Sequence, residues 1–246
     1  MSGYIPENDY SEDSLQWDKL LSERKLKTNP YSKDKNGYNI EEVEKLQNEI
    51  VKDNNSAFAY FCANEFPYKQ FRMQKVILDN KDPKYAFMFA RHIPHADIKA
   101  LQNLVVKSKK IKYITHFACF VESADHSILE KIIIDSNKVK YAHMYLKHVK
   151  QAKVSKFKQV ILASGKPRYL FELAKHLNNS EDIRQIEDLI IALGSFTYIR
   201  LLAGKIKLAN VEKLEQAVLD SGNNEEIKKF AKYVKKSRMR HFLLVS

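Results

Sequence analysis

Apolar residues recur along this chain in two interleaved helical rhythms. Tyr85, Met88, Phe89 and Ile93 fall on one face of a helix, and Ile98, Leu101, Leu104 and Val105 mark the face of a second. Between them stands the break Ile93-Pro94-His95-Ala96-Asp97. The pattern predicts a hairpin of two helices, each of roughly ten residues, too short to persist alone in water. Asp97 stands where an N-cap oxygen accepts the free amides of the second helix.

The hairpin repeats. Lys84-Tyr85, Lys112-Tyr113, Lys140-Tyr141 and Arg168-Tyr169 recur at a spacing of 28 residues. With each tyrosine as position 1, position 5 reads Phe61, Phe89, Phe117, Tyr145 and Leu173, and position 6 reads Cys62, Ala90, Ala118, Leu146 and Ala174. Position 17 reads Met73, Leu101, Leu129 and Phe157. Positions 20 and 21 read Val76-Ile77, Leu104-Val105, Ile132-Ile133 and Val160-Ile161. One extra residue near Ser195 restores the register at Tyr198, with Leu202, Ala203, Leu214, Ala217 and Val218. Asp125 and Asn210 share the N-cap position of Asp97. Second helices end at Ser108, Ser136, Ser164-Gly165 and Ser221-Gly222, with glycine available for a left-handed C′ residue. Pro83 and Pro167 sit in first turns, where proline loses no hydrogen bond. Stacking must bury the apolar faces, so the expected fold class is all-α, a solenoid of about six to seven stacked hairpins.

The expected organisation is an acidic, loosely ordered N-terminal arm over residues 1–38 and a repeat domain with terminal capping helices over residues 39–246. Within the arm, Ser14 to Arg24 is expected to form a short helix carrying Leu15, Trp17, Leu20 and Leu21. Asn39-Ile40-Glu41-Glu42 opens a second helix that lacks a first one of its own. At the far end Phe230-Ala231 and Val234 occupy positions 5, 6 and 9 of a first helix expected to be cut short.

The opening Asp82-Pro83-Lys84-Tyr85-Ala86-Phe87-Met88-Phe89-Ala90 and the middle Ile93-Pro94-His95-Ala96-Asp97-Ile98 resemble the short tandem α-hairpin repeats of bacteriophage and large DNA virus proteins. The resemblance covers roughly residues 39–236 and is strongest in the unit at 85–112. It implies an ARM- or HEAT-like solenoid and a viral source, and it implies no activity. Later units depart from it: Val149-Lys150-Gln151 and Leu177-Asn178-Asn179 have lost the proline.

Composition adds constraints. Two cysteines, Cys62 and Cys119, argue against a disulfide framework and favour a reducing compartment. With no apolar leader and no long apolar run, a cytoplasmic protein (host cytoplasm if viral) is expected, neither secreted nor associated with a membrane. The net charge of +12 favours polyanionic partners. Charge is uneven: residues 141–168 hold seven Lys/Arg and no acid, whereas 169–197 hold two basic and five acidic residues.

Two basic ladders run through the repeat, Lys84, Lys112, Lys140 and Arg168 before the tyrosines and Lys110, Lys138 and Lys166 on the same loops. They form a candidate polyanion-binding edge. The competing reading is solubility with favourable placement near helix C-termini. A histidine column, His92, His148 and His176, cannot gather one metal ion, because equivalent side chains on stacked helices stand ~8–10 Å apart. Each is expected half-buried at a helix end.

Catalytic patterns fail on inspection. Ser155-Lys156-Phe157-Lys158 puts a core position inside an S-x-x-K, and Ser164-Gly165-Lys166 lacks the upstream glycine of a phosphate loop. A helical-repeat DNA glycosylase would need an aromatic pocket, and the single tryptophan, Trp17, lies outside the array. The expectation is a non-enzymatic binding or scaffold protein without cofactor that holds another protein, the alternative being weak, sequence-independent nucleic-acid binding through the basic edge.

Overall fold

The computed structural model of the chain describes residues 11–24 and 39–239. Among the described residues there are fifteen helices and no extended strand. The helices are α1 (Ser11–Ser22), α2 (Ile40–Asp53), α3 (Ser56–Glu65), α4 (Gln70–Asn80), α5 (Pro83–His92), α6 (Ile98–Lys107), α7 (Ile111–Phe120), α8 (His126–Asp135), α9 (Val139–His148), α10 (Val154–Ala163), α11 (Pro167–Ala174), α12 (Ser180–Ala192), α13 (Phe196–Lys205), α14 (Val211–Asp220) and α15 (Asn224–Tyr233). From α3 onward they alternate as first and second helices of hairpins in the 28-residue register. The chain divides into two compact units, Met1–Leu129 and Glu130–Ser246.

Within each unit one packing rule repeats. The first helix of a hairpin packs on its own second helix and on the first helix of the next hairpin: α3 on α4 and α5, and α5 on α6 and α7, in the first unit. In the second unit α9 packs on α10 and α11, α11 on α12 and α13, and α13 on α14 and α15. The apolar columns fill these joints. Phe89, Phe117, Tyr145, Leu173, Leu202 and Phe230 at position 5 are all buried, as are Met73, Leu101, Leu129, Phe157 and Leu214 at position 17. Small residues at position 6, including Cys62, Ala118, Ala174 and Ala231, allow neighbouring first helices to approach closely. Burial also pushes the Cys62 and Cys119 thiols up to about 12, so neither is a thiolate at neutral pH.

Hydrogen bonds at the hairpin ends repeat as strictly. Asp97, Asp125 and Asn210 accept from the amides of Ala100, Ser127 and Lys213 at 2.9, 3.0 and 3.1 Å, as an N-cap must. At the other end Ser108, Ser136, Ser164 and Ser221 each donate Oγ–H to the carbonyl three residues back at 2.6–2.7 Å. The same oxygens accept the amides of Lys110, Lys138, Lys166 and Asn223 at 3.2–3.3 Å. The intervening residue is left-handed, with glycine at Gly165 and Gly222 but lysine at Lys109, where φ is 56°. A non-glycine residue there carries a steric cost of roughly 1–2 kcal/mol.

A polar column, absent from the apolar pattern, joins successive hairpins. At position 18 of the second helix, Gln74 and Gln102 accept the loop amides of Asp97 and Asp125 in the next hairpin at 2.9 and 2.8 Å. Glu187 accepts from Asn210 at 2.6 Å, and Glu215 from Arg238 and Met239 at 3.2 and 3.1 Å. Gln47 reaches the same loop from the opposite sense, donating to the carbonyl of Tyr68 at 2.7 Å. Where position 18 is Lys158 the contact becomes an ion pair to Asp182, and Glu130 pairs with Lys156. Gln74, Gln102, Glu187 and Glu215 thereby satisfy backbone amides that otherwise lack a partner.

Three expectations change. The extra residue lies between α11 and α12, not near Ser195. Ile183, Ile186 and Ile190, all fully buried, return to positions 14, 17 and 21 only if the insertion precedes Ile183. Next, α15 is a complete ten-residue helix rather than a shortened one, because Asn223 caps it through the amides of Glu225 and Glu226 and Phe230, Ala231 and Val234 are buried.

Finally, the helix expected at Ser14–Arg24 begins at Ser11 and docks on α3. Trp17 is 5 % exposed, its ring 5.8 Å from Phe58 and 5.9 Å from Phe61. For this stretch loose order gives way to packing, since three aromatic rings share one contact and Asp13 accepts from Lys84 and from the Tyr85 hydroxyl. The expected loose order of residues 1–10 and 25–38 lies outside the described residues.

Two outcomes follow from this packing. Ile133 is fully buried, so Ile133→Asp is expected to cost on the order of 4 kcal/mol or more by burying an unpaired charge. Circular dichroism melting would register it as lost helicity across neighbouring hairpins, whereas an unchanged melt would contradict the core assignment. Trp17 is the only tryptophan, so its fluorescence reports α1 alone. Asp13→Asn is expected to red-shift that emission and open α1 to protease while the melting of the hairpins moves little; emission identical to the parent's would show that the carboxylate does not hold α1.

Candidate polyanion-binding edge

The two basic ladders share one local construction. Before α7, α9 and α11 a serine closes a second helix, a left-handed residue reverses the chain, and the next first helix starts at once. Before α5, Asn80 and the left-handed Lys81 take these places and Asp82 is the N-cap. Lys110, Lys138 and Lys166 are consequently the N-cap residues of α7, α9 and α11, and none of them makes a side-chain capping bond. Lys84, Lys112, Lys140 and Arg168 fall at the second position of α5, α7, α9 and α11. The ladders therefore stand at the N-termini of first helices, and Lys110, Lys138 and Lys166 are at the same time only two residues beyond the serines that close the preceding helices. The positive end of each helix dipole repels them, by about 0.3–1 kcal/mol per charge at a surface site. None of these first turns holds an acid. The C-terminal ends of the preceding second helices act on the loop lysines in the opposite, favourable sense.

The structure places Lys84, Lys110 and Lys112 in the first unit and Lys138, Lys140, Lys166 and Arg168 in the second. Each lysine before a tyrosine folds over that ring, with Nζ 4.9 Å from the Tyr85 centroid, 5.4 Å from Tyr113 and 5.9 Å from Tyr141. Lysine ammonium and tyrosine hydroxyl thus form a two-donor pair.

At Lys84–Tyr85 the pair is occupied. The Asp13 carboxylate takes the Lys84 ammonium at 3.2 Å and the Tyr85 hydroxyl. Lys138, Lys140, Lys166 and Arg168 make no ion pair among the described residues. Elsewhere on the strongly basic hairpin α9–α10 the charge is partly spent internally, on Lys156–Glu130 and Lys158–Asp182.

The histidines do not converge. His92 and His148 are the last residues of α5 and α9, His176 follows the end of α11, and all three are exposed rather than half-buried. Partial desolvation, and then the neighbouring Arg91 or Lys147, lowers the pKa of His92 and His148. His92 Nδ1 lies 2.8 Å from the Tyr60 hydroxyl. Among the described residues no group of three or more His, Cys, Asp or Glu side chains is placed to hold a metal ion.

Two shallow grooves lie elsewhere, about 340 Å³ along α4 and α6 beside Leu78 and Leu104, and about 290 Å³ along α13 and α15 beside Arg200 and Tyr233. Phe71 and Tyr233 stand 72 % and 65 % exposed on helix surfaces.

The ladders were visible in the sequence; the acceptor was not. Asp13 lies 71 residues from Lys84, and no repeat column contains it. The only available signal was an acid four residues before the lone tryptophan, one helical turn away on the same face. No helix of the described residues is long and apolar enough to cross a membrane. No protein-family model, curated protein or solved structure matches this chain.

Proposed function

We propose that the chain is a non-catalytic α-solenoid scaffold of about six to seven stacked hairpins that holds another protein on its helical surface. The observation that carries this reading is α1. A helix from outside the repeat already lies on a first helix of the array, anchored by one aromatic side chain and one carboxylate. A buried aromatic anchor beside a charged contact is the usual composition of a protein–protein hot spot. Grooves that are broad and shallow, and exposed apolar side chains such as Phe71, fit an extended partner better than a small molecule.

A second reading, sequence-independent nucleic-acid binding, draws on the N-cap lysines Lys110, Lys138 and Lys166, none of which makes a side-chain capping bond. In the second unit the ladder ends at Arg168, because Ser195 and Thr197 hold the equivalent positions at the start of α13.

The test is capture with the full chain from its native cell, with and without nuclease, alongside oligonucleotide binding as salt is raised. The scaffold reading expects a stoichiometric protein that survives nuclease, and oligonucleotide binding that is negligible near 0.15 M salt. Nuclease-sensitive capture, with oligonucleotide affinity falling steeply in salt and lost on changing Lys112, Lys140 and Arg168 together to Glu, would replace it with the second reading.

A further inference from the structure

We propose that the Lys140–Tyr141 and Arg168–Tyr169 pairs of the second unit bind side-chain carboxylates of an acidic helix on the partner protein, as Lys84–Tyr85 binds Asp13 of α1. The proposal rests on the scaffold reading and names the partner's chemistry and where it sits.

The template is internal. In α5 the lysine at the second helical position and the tyrosine at the third converge on one carboxylate, carried by the helix SEDSLQWDKLLS with three acids and one base. In α9 a lysine and a tyrosine stand at the same helical positions, and Lys140 folds over Tyr141 as Lys84 does over Tyr85. In α11 an arginine, Arg168, takes the lysine's place before Tyr169, whose ring lies 5.3 Å from His143. No carboxylate of the described residues pairs with Lys140 or Arg168, and the hairpin between them contains no acid. Glu172, one turn into α11, pairs with Lys175 and lies 4.0 Å from His143, so it leaves Lys140 and Arg168, two basic groups at the repelling end of a helix dipole, without an ion-pair partner.

Spacing defines the ligand further. Helices α9 and α11 pack directly on one another, so their two pairs are separated by about one interhelix distance, ~8–10 Å. On an α-helix, residues i and i+7 share a face and lie roughly 10 Å apart along the axis. The expected partner segment is therefore a helix with Asp or Glu at i and i+7. Two turns of helix are long enough to meet both pairs. The aromatic cradle that α3 offers Trp17 is also reduced there: in α9, which precedes α11 as α3 precedes α5, Ala142 and a fully buried Tyr145 hold the positions of Phe58 and Phe61, so recognition is expected to rest on charge and hydroxyl.

The experiment uses the full chain and a fluorescein-labelled helical peptide with Glu at i and i+7, read by fluorescence polarisation. Its controls are the Gln version of the peptide and a single-stranded oligonucleotide. The Glu peptide is expected to bind and the Gln peptide to bind at least ten-fold more weakly. Lys140→Glu with Arg168→Glu should abolish binding, and these changes are compatible with folding because acids are favourable in a helix's first turn. Tyr141→Phe with Tyr169→Phe keeps both rings and removes only the hydroxyls, and is expected to weaken binding about ten-fold, as loss of hydrogen bonds to a charged group does. Equal binding of both peptides, or Glu-peptide binding indifferent to the charge reversal or to the hydroxyl deletion, would overturn the proposal, as would binding of the oligonucleotide in preference to the Glu peptide. Nuclease-resistant capture that persists in the charge-reversed chain would overturn this site alone and leave the scaffold reading standing. Absence of any captured protein would remove the scaffold reading itself.

Discussion

A helix of ten residues begins with amides that have no intrahelical partner, and a hairpin that stacks on another buries some of them. Everything else in this chain depends on how that is resolved. Apolar burial supplies most of the stability, but it is non-directional and would tolerate small slips between neighbouring hairpins. The position-18 side chains are directional. By accepting a loop amide of the next hairpin, Gln74, Gln102, Glu187 and Glu215 connect α4, α6, α12 and α14 to the hairpin that follows. The need for an acceptor also explains why a carboxylate is retained where its charge is costly. Glu187 is fully buried, and desolvation raises its pKa despite the Asn210 amide and nearby Lys213.

The same regularity shapes the surface. The serine closure and the immediate restart of the next helix bring Lys112, Lys140 and Arg168, each before a tyrosine, to the same helical position. The proposed partner site is a product of that repetition rather than of any single residue. α1 shows what such a pair accepts, because Asp13 reaches it from outside the repeat. It also accounts for the burial of Tyr85, at 4 % exposed, while Tyr141 and Tyr169 remain partly open.

Helix type, hairpin spacing and the core columns were legible because apolar residues repeat in kind as well as in place. The position-18 column was present in the sequence but silent. Its members, Gln47, Gln74, Gln102, Glu130, Lys158, Glu187 and Glu215, change chemical class from hairpin to hairpin, and at Lys158 donor and acceptor exchange roles with Asp182. A polar residue between apolar positions 17 and 20 reads as solvent-facing until the neighbouring loop is in place. The insertion before Ile183 was misplaced for a related reason: Leu189-Ile190-Ile191 is apolar in either register, and only burial of Ile190 decides between them. The polarity of the lysine ladders was hidden because a loop of two residues is at once the end of one helix and the beginning of another. Docking of α1 could not be read, since its acceptors belong to α3 and α5 and to no local pattern.

Replacement of Glu187 tests the account at its centre. Glu187→Gln keeps an acceptor for the Asn210 amide and removes a buried charge, matching the glutamines at the equivalent position of other hairpins. Because the folded carboxyl has a raised pKa, its contribution to stability is lost as pH rises through that folded value. Denaturant unfolding is therefore expected to find Glu187→Gln at least as stable as the parent at pH 7, with an advantage that shrinks as the pH approaches 4. Glu187→Ala leaves the amide without an acceptor and is expected to lose about 1–3 kcal/mol. An alanine variant as stable as the parent, or a glutamine variant as weak as the alanine one, would contradict the claim that this side chain acts as the amide acceptor joining one hairpin to the next.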